Sequence, residues 1–327
     1  MAFTTITKSS DYFSTKLFNG TGSSNAITGV GHAPSFTWIK SRDSLETHIL
    51  TDAVRGATKS IRSSSNAAET TVDQDLTAFG SDGFTVGTNN RVNKSGDKMV
   101  SWNWKEHVNS GFDIVTWTGN GSARTIAHSL NKVPTMIMVK DLSAATDWTI
   151  YHVGVGNTKR LRLNDKGTVE DDASFFNDTT PTSSVFSVGS SSAVNLSGRN
   201  YVGYVFTDIV GFSKMGSFVG NGDVNGKFVY TGFKPAFIMT KKTTATGRWS
   251  MRDVARDPFN VASRGLSANA SDIENTGSQY WDLDALSNGF KLRTTEHESN
   301  GSGLTFIYMA FAKAPLVGTN NIPCTAR

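Results

Sequence analysis

The amino-acid sequence predicts an all-β protein made of three tandem β-sandwich repeats, of the jelly-roll or lectin-like kind. Three observations support this prediction. A set of motifs recurs about every 100 residues, apolar side chains alternate within those motifs, and the composition favours tight turns. The chain has 327 residues, of which 31 are glycine and only 18% are charged, as is typical of many short strands joined by turns.

Three motifs occur in the same order in each copy. The first is an aromatic residue followed by X-Gly-X-Gly, the second is a proline followed by a largely apolar run and a lysine, and the third is Ser-Gly ahead of an alternating segment. One order at one period indicates an internal repeat, which suits a structural or multivalent binding protein better than an enzyme with one pocket. The motifs occupy residues 18–22, 117–121 and 218–222, then 34–40, 134–140 and 235–241, then 95–104, 197–206 and 302–311.

The third motif predicts a strand in each copy. Large apolar side chains recur there at every second residue, as expected for the face of a strand that packs on a core. We therefore expect Trp102, Tyr204 and Met309 to occupy equivalent buried positions. The nine alternating residues are Val100, Trp102, Trp104, Val202, Tyr204, Phe206, Ile307, Met309 and Phe311.

The strand after each proline is more continuously apolar, which predicts burial of both its faces. The lysines that end this motif, Lys40, Lys140 and Lys241, are predicted to mark where each strand returns to water. Short helical turns are predicted at residues 254–262 and near residues 66–76.

These motifs divide the chain into arms and repeats. Each repeat is long enough to bury a core of its own, and both arms are predicted to be extended and free to tether the protein. The segments are an N-terminal arm (1–10), repeat 1 (11–105), a linker (106–110), repeat 2 (111–210), repeat 3 (211–315) and a C-terminal arm (316–327).

Charge and composition exclude several classes of function. The net charge is +4, and no basic stripe of the density that nucleic-acid binding needs is present. No apolar run approaches the roughly 18 residues of a membrane-spanning helix, so no membrane insertion is expected. Cys324 is the only cysteine, which leaves the fold to packing alone. Since residues 1–8 do not form a secretory signal, we expect synthesis in the cytoplasm.

Five segments resemble repeats found in virion proteins of marine tailed bacteriophages, which are usually described as tail-fibre-like and in some cases carry lectin-like modules. The resemblance implies a location on the virion surface and contacts with other virion proteins. Because the shared motifs are packing and turn motifs, it implies no chemistry. The segments are residues 18–22, 38–42, 52–56, 84–87 and 93–104, and the resemblance extends from residue 11 to residue 315.

A basic and aromatic cluster in repeat 3 is the candidate recognition surface. Arginine beside an aromatic ring is a common recognition pair, because the ring stacks and the guanidinium forks onto a carboxylate or sulfate. The cluster predicts binding of an anionic host-surface glycan or of a neighbouring subunit. The alternative is a structural tryptophan with a solvated basic edge. The members are Lys242, Arg248, Trp249, Arg252 and Arg256, together with Trp148 of repeat 2.

The sequence offers no catalytic, cofactor or metal site that we can assign. It contains no nucleophile elbow, no phosphate-binding loop and no acid pair that recurs in all three copies, so a non-enzyme is expected. The six histidines lack metal-ligand spacing. Residues 170–172, together with Asp165 and Asp178, are also compatible with a Ca²⁺-binding loop, although their spacing fits a solvated acidic loop better.

These observations predict a non-enzymatic structural protein of a tailed phage, namely a surface fibre or decoration protein engaged in host attachment. Two alternatives stay open: a capsid or tail cement protein without a receptor role, and a glycan-binding or depolymerising module. Since phage fibres assemble about symmetric axes, a homo-oligomer is expected, with a trimer favoured. We expect it to attach to the particle through a terminal arm.

Overall fold

The regular secondary structure of the chain is almost entirely β-strand, as the sequence predicts. The computed structural model describes residues 4–277 and 279–315, so the predicted C-terminal arm at 316–327 lies outside the described residues. The helical turns predicted at 254–262 and 66–76 are wrong, because both segments form turns and extended chain. The short helices that the structure contains are α1 (Asn90–Asn93), α2 (Ala173–Phe176), α3 (His297–Asn300) and 3₁₀ turns at Ser9–Asp11, Val108–Ser110 and Gln279–Trp281.

The strands form three similar series. Repeat 1 contains β1 (Phe13–Asn19), β2 (Asn25–Thr28), β3 (Phe36–Ser41), β4 (Ile49–Asp52), β5 (Lys59–Ser60), β6 (Thr70–Thr71), β7 (Leu76–Gly80), β8 (Gly83–Val86) and β9 (Lys98–Trp104). Repeat 2 contains β10 (Phe112–Thr118), β11 (Arg124–Ala127), β12 (Met136–Asp141), β13 (Thr149–His152), β14 (Lys159–Arg160), β15 (Glu170–Asp171), β16 (Val185–Val188) and β17 (Asn200–Phe206). Repeat 3 contains β18 (Ser213–Val219), β19 (Phe228–Tyr230), β20 (Phe233–Lys242), β21 (Trp249–Asp253), β22 (Leu266–Ser267), β23 (Leu283–Leu286), β24 (Gly289–Leu292) and β25 (Thr305–Pro315).

Each series builds one main antiparallel sheet with the same strand order. The order is β1-β9-β3-β4 in repeat 1 and β10-β17-β12-β13 in repeat 2, and repeat 3 adds a fifth strand to the same order, β18-β25-β20-β21-β22. The first strand of each repeat therefore pairs with the last, which closes the repeat on itself. A small sheet accompanies each main sheet: β2-β8-β7, β11-β16 and β19-β24-β23. This layered antiparallel architecture is of the β-sandwich type, which confirms the predicted all-β class.

The register of the main sheets confirms the predicted equivalence of Trp102, Tyr204 and Met309. Each of the three lies on the last strand of its repeat and is at most 3% exposed. Each is paired with a residue at the same place on the strand that follows the proline motif. The pairs are Trp102 with Trp38, Tyr204 with Met138 and Met309 with Met239.

All nine alternating residues of the last strands lie in one shared hydrophobic core. Three of them, Trp104, Phe206 and Phe311, form a triangle at its centre. Their ring centroids are 6.4 Å apart between Trp104 and Phe206, 5.7 Å between Trp104 and Phe311, and 6.0 Å between Phe206 and Phe311. One equivalent residue from each repeat thus meets the other two, as expected for three units arranged about a pseudo-threefold axis.

The expectation that each repeat buries a core of its own holds for one layer of repeats 1 and 2, but all three repeats also contribute to the one shared core. One face of every main sheet packs into the shared core, while the opposite faces in repeats 1 and 2 pack on their small sheets in separate clusters. Trp38 belongs to the shared core, whereas its neighbour Ile39 belongs to the separate cluster of repeat 1. Both faces of β3 are therefore covered, which confirms the prediction made from its continuous apolar run.

The three lysines that end the proline motif are buried, so the prediction that they return to water is wrong. The Nζ of Lys40 donates hydrogen bonds of 2.6 and 3.0 Å to the carbonyls of Ser41 and Ser44. The loop after the strand folds back over the ammonium group and supplies these acceptors. Lys140 is held in the same way, whereas Lys241 donates to the carbonyl of Gly247 and to that of Lys166 in repeat 2. Burial lowers the pKa of all three lysines to about 8.

The N-terminal segment does not form the free arm that its polar sequence predicts. Ile6 is 2% exposed and packs in the shared core, and Thr4 is 7% exposed. A Cβ placed on Gly211, at the start of repeat 3, would lie 3.0 Å from the Thr4 side chain. Residues 4–10 are therefore part of the packed body.

A buried asparagine braces each repeat, and sequence reasoning missed it. Its signal is Asn-X-Ser-Gly, which recurs at Asn93, Asn195 and Asn300. The amide Nδ2 of Asn93 donates to the carbonyls of Ser23 and Gly87 at 2.5 and 2.7 Å, and the other two asparagines make the equivalent bonds. These bonds hold the glycine turn of the first motif against the chain that leads into the last strand.

Candidate ligand-binding cleft

The two tryptophans of the predicted recognition cluster are buried between repeats, so their assignment to the surface is wrong. Trp148 is fully buried and Trp249 is 2% exposed. The indole Nε1 of Trp148 donates to the carbonyl of Arg62 in repeat 1 at 2.8 Å. The indole Nε1 of Trp249 donates to the carbonyl of Arg162 in repeat 2 at 2.7 Å. Each tryptophan thus joins its repeat to the preceding one.

The third junction closes this ring of contacts. His48 immediately precedes β4, as Trp148 precedes β13, and its Nε2 lies 3.0 Å from the carbonyl oxygen of Ser267 in repeat 3. The three residues whose carbonyls accept these bonds, Arg62, Arg162 and Ser267, occupy equivalent positions. Each directly follows a residue that is bridged to β4, β13 or β21. Those bridged pairs are Leu50 with Ile61, Ile150 with Leu161 and Met251 with Leu266.

The junction between repeats 1 and 2 contains a buried ionic network. The guanidinium of Arg55 donates to Asp52 at 2.5 Å, to Glu69 at 2.6 Å and to the phenol oxygen of Tyr204 at 3.1 Å. The Tyr204 hydroxyl donates in turn to Asp52 at 2.7 Å. Asp52, Arg55 and Glu69 come from repeat 1, so the phenol is the group through which repeat 2 enters the network.

The junction between repeats 3 and 1 contains an equivalent network, which includes one of the predicted recognition residues. Arg256 is 3% exposed and donates to Asp253 at 2.5 Å and to Glu274 at 3.0 Å. Arg42 of repeat 1 donates to Glu274 at 2.6 Å, and the Trp102 indole donates to Asp253 at 3.0 Å. Arg256 therefore joins repeats and cannot contact a ligand at the surface.

The junction between repeats 2 and 3 has no such network at the equivalent positions. His152 occupies the place of the two aspartates, since Met136 pairs with it as Phe36 pairs with Asp52. Its Nε2 lies 3.1 Å from the carbonyl oxygen of Tyr308 in repeat 3. Burial lowers the pKa of His152 to about 4, so this imidazole is neutral at pH 7.

Two further members of the predicted cluster, Lys242 and Arg252, are also buried, and they support a cleft in repeat 3 from behind. Arg252 is 2% exposed, and its guanidinium donates to the carbonyl of Trp281 at 2.6 Å and to the hydroxyl of Ser299 at 2.7 Å. Ser299 in turn donates to the carbonyl of Tyr280 at 2.5 Å. Burial lowers the pKa of Arg252 to about 9. Lys242 is 1% exposed and lies 3.7 Å from Glu298, which lines the cleft.

The cleft has a volume of about 550 Å³, within the usual range of ligand sites. Arg248 is the one predicted recognition residue that lines it, and a third of its side chain is exposed. Tyr280 and Ile273 add exposed apolar surface at 47% and 50% exposure. The remaining polar lining residues include Ser267, Asp272, Glu274, Asn275, Thr276 and Glu298.

One lining residue of the cleft differs from its equivalents in the other repeats. Ser267 is equivalent to Arg62 and Arg162, because each follows the bridged residue described above. In repeat 2 the long side chain of Arg162 forms ion pairs with Asp147, Asp165 and Glu170. In repeat 3 the equivalent residue is the short Ser267, which lines the cleft and accepts a hydrogen bond of 3.3 Å from Arg248. These ion pairs also occupy Asp165 and Glu170, two of the carboxylates considered for a Ca²⁺ loop.

The charged side chains of the cleft are already paired with one another or with buried neighbours. Arg248 forms an ion pair with Asp272 and donates its backbone N–H to Glu298 at 3.0 Å. Glu298 also lies beside the ammonium of Lys242. The hydrogen bonds from Arg42 and the charge of Arg256 outweigh burial and lower the pKa of Glu274. The cleft is therefore polar without an unpaired charge among these residues.

One family model matches this chain. It is a domain of unknown function, DUF7483, and it matches residues 8–315. The chain belongs to this family. The matched range contains all three main sheets and the cleft, so the family domain corresponds to the whole three-repeat body rather than to one repeat. No curated protein matches this sequence.

Within residues 4–277 and 279–315, no three histidine, cysteine or acidic side chains are grouped so that they could hold a metal ion. No helix in the same part of the chain is long and apolar enough to cross a membrane.

Proposed function

We propose that this chain is a non-enzymatic structural protein of a tailed phage, a surface fibre or decoration protein that takes part in host attachment. The observation that carries the proposal is the shared core, where Trp104, Phe206 and Phe311 meet. A chain built in this way presents three related outer surfaces about one axis. This arrangement suits a particle whose parts are related by rotational symmetry. The resemblance of its motifs to repeats of phage virion proteins supports the same location.

The residues that recur in all three repeats support a structural function. The buried asparagines brace turns, the buried lysines satisfy carbonyl groups, and the apolar rows fill the shared core. These are packing and hydrogen-bonding roles that stabilise the body. We infer no catalysis and no cofactor.

Other virion proteins are the proposed partners, and a homo-oligomer, with a trimer favoured, stays part of the proposal. The arrangement of the three repeats within one chain changes the argument for this oligomer. Because one chain already places three units about an axis, a monomer could also occupy a threefold position on a particle. Light scattering of the purified chain distinguishes the two states.

Two alternative functions remain distinct from the leading one. A capsid or tail cement protein would use the same rigid body without a receptor role. A glycan-binding module is favoured by a specific observation, the open cleft of repeat 3, and it is compatible with host attachment. Depolymerisation of a glycan would require catalytic groups, and we assign none.

The protein content of purified particles tests the proposal. We expect the chain in extensively washed particles at a fixed copy number by quantitative mass spectrometry, with matching density on the outer surface in a cryo-EM map. Particles that lack the chain should bind poorly to host cells in an adsorption assay. Normal adsorption of such particles would support the cement function instead. Absence of the chain from purified particles would contradict the proposal as a whole.

A further inference from the structure

We propose that the cleft of repeat 3 binds a neutral saccharide. The inference rests on the attachment function proposed above, and it adds the site and the ligand class. The cleft combines a volume of about 550 Å³ with both apolar and polar lining groups. Three features of the lining support a neutral sugar: exposed apolar surface, mixed donors and acceptors, and balanced charge.

The apolar surface is suited to one face of a sugar ring. Tyr280 is 47% exposed and Ile273 is 50% exposed, although both lie within a largely polar cleft. Tyrosine supplies a flat, rigid contact surface with a polar end, which is the kind of group that dominates recognition surfaces. The C–H groups of a pyranose can pack on such a ring while its hydroxyls reach the polar lining.

The polar groups offer both donors and acceptors, as sugar hydroxyls require. Each hydroxyl donates one hydrogen bond and accepts others, so it matches a mixture of carboxylate, amide and guanidinium groups. Asp272, Asn275 and Arg248 supply one of each in the cleft lining. The wall also contains Trp281, which is 6% exposed and whose indole Nε1 has no hydrogen-bond partner within the described part of the chain.

The balance of charge decides between a neutral and an ionic ligand. Arg248 is paired with Asp272, Glu298 lies beside Lys242, and Glu274 is held by Arg42 and Arg256. An anionic or cationic ligand would compete with these existing partners for its own counter-charge. A neutral polyhydroxyl ligand can bind without breaking these pairs. This argument replaces the anionic glycan expected from the basic residues of the sequence.

The wall of the cleft is held in place before a ligand arrives. The buried Arg252 and Ser299 bind the carbonyls of Trp281 and Tyr280, as described above. Fixing these backbone groups in the folded protein reduces the ordering that binding would otherwise require. The same bonds explain why Arg252 contributes to the site without touching the ligand.

Ligand-observed NMR and calorimetric titration of the full chain test the inference. The probes are glucose, galactose and N-acetylglucosamine, with glucuronic acid and glucosamine as charged sugars of the same ring size. We expect at least one neutral sugar to bind at least about tenfold more tightly than either charged sugar. Tyr280→Ala should weaken that binding at least about tenfold. The matched control Phe259→Ala, which removes a 76% exposed aromatic residue that is not part of the cleft lining, should leave it unchanged.

A second variant keeps the test decisive if Tyr280→Ala does not fold. Asp272→Asn leaves Arg248 without its carboxylate, so it should increase binding of glucuronic acid relative to the neutral sugar. Binding of a charged sugar in preference to all neutral ones, or of none of the probes by the wild type, overturns the inference. Because sugar binding is measured on the isolated chain and location on purified particles, either proposal can fail while the other stands.

Discussion

The hydroxyl of Tyr204 donates a hydrogen bond of 2.7 Å to Asp52 across the junction between repeats 2 and 1, and both side chains are fully buried. The equivalent bond between repeats 1 and 3 joins the indole of Trp102 to Asp253. At the third junction repeat 3 carries Met309 at the position of these donors, and repeat 2 carries His152 at the position of the aspartates, with its Nε2 3.1 Å from the carbonyl oxygen of Tyr308. The donor of one repeat therefore matches the acceptor of its neighbour.

Tyr204→Phe should lower the free energy of unfolding by about 1–3 kcal/mol, because it removes the phenol that bonds to two buried charged groups, Asp52 and Arg55. Urea denaturation measures this change. The control Tyr230→Phe alters a tyrosine that is 56% exposed and should change stability by less than about 0.5 kcal/mol. Equal effects of the two variants would contradict the assigned network.

His152→Asp should be strongly destabilising, by about 3 kcal/mol or more, because it buries a carboxylate at a junction that supplies no arginine to balance its charge. Adding Val155→Arg supplies the cation that Arg55 and Arg256 provide at the other junctions. The double variant should recover part of the loss, and a double-mutant cycle in urea denaturation measures the coupling. Strict additivity of the two substitutions would show that the junctions are not equivalent.

Buried histidine should make stability depend on pH between about 4 and 6.5. The pKa of His152 is lowered to about 4 in the folded chain from its ordinary 6.5, so the unfolded chain takes up a proton first as the pH falls. Stability is therefore present above pH 6.5 and is lost as the pH falls toward 4, by up to about 3 kcal/mol from this residue. His152→Gln should flatten the dependence in denaturation curves recorded from pH 4 to 7. An unchanged slope would argue against a buried neutral imidazole.

Lys40→Ala should lower the free energy of unfolding by about 2–4 kcal/mol. The same substitution would have almost no effect if Lys40 were exposed at the end of its strand. The substitution leaves a cavity and removes the donor to the carbonyls of Ser41 and Ser44. Thermal and urea unfolding of the variant measure the loss. Lys98→Ala, at an exposed lysine, is the matched control and should lie within about 0.5 kcal/mol of wild type.

Ile6→Ala should destabilise the chain by about 2–5 kcal/mol, because Ile6 packs in the shared core. Removal of residues 1–6 should do at least as much damage. Such a truncation disturbs the fold as well as any attachment to the particle. It therefore cannot test attachment alone, as truncation of a free arm would have done. Normal stability of the truncated chain by calorimetry would restore the interpretation of this segment as an arm.

The strands were predictable because their signal is local. Alternation at every second residue follows from strand geometry, so Val100, Trp102 and Trp104 could be assigned to one face from the sequence. Asn93 could have been found in the same way, since Asn-X-Ser-Gly recurs in all three repeats. Its role was missed because an asparagine next to a Ser-Gly turn is ordinarily expected only to favour the turn itself.

The candidate site was less predictable because its residues depend on contacts far along the chain. Arg248, Arg252 and Arg256 lie close together in sequence, yet only Arg248 reaches the cleft. Arg256 is buried through Glu274, which also binds Arg42 at a separation of 232 residues. When those distant partners are not known, a run of basic residues is expected to be exposed to solvent.

The sequence by itself determined the strands, their three-fold recurrence and the face that each alternating row buries, since these follow from backbone geometry and local side-chain pattern. Only the tertiary structure decided that the three rows share one core, that Lys40 and Arg256 are buried, and that Arg248 lines a cleft together with Ser267. The physical reason is that a charged side chain can be buried only where acceptors or opposite charges meet it. Those partners come from other loops and other repeats, which only the packed chain brings together.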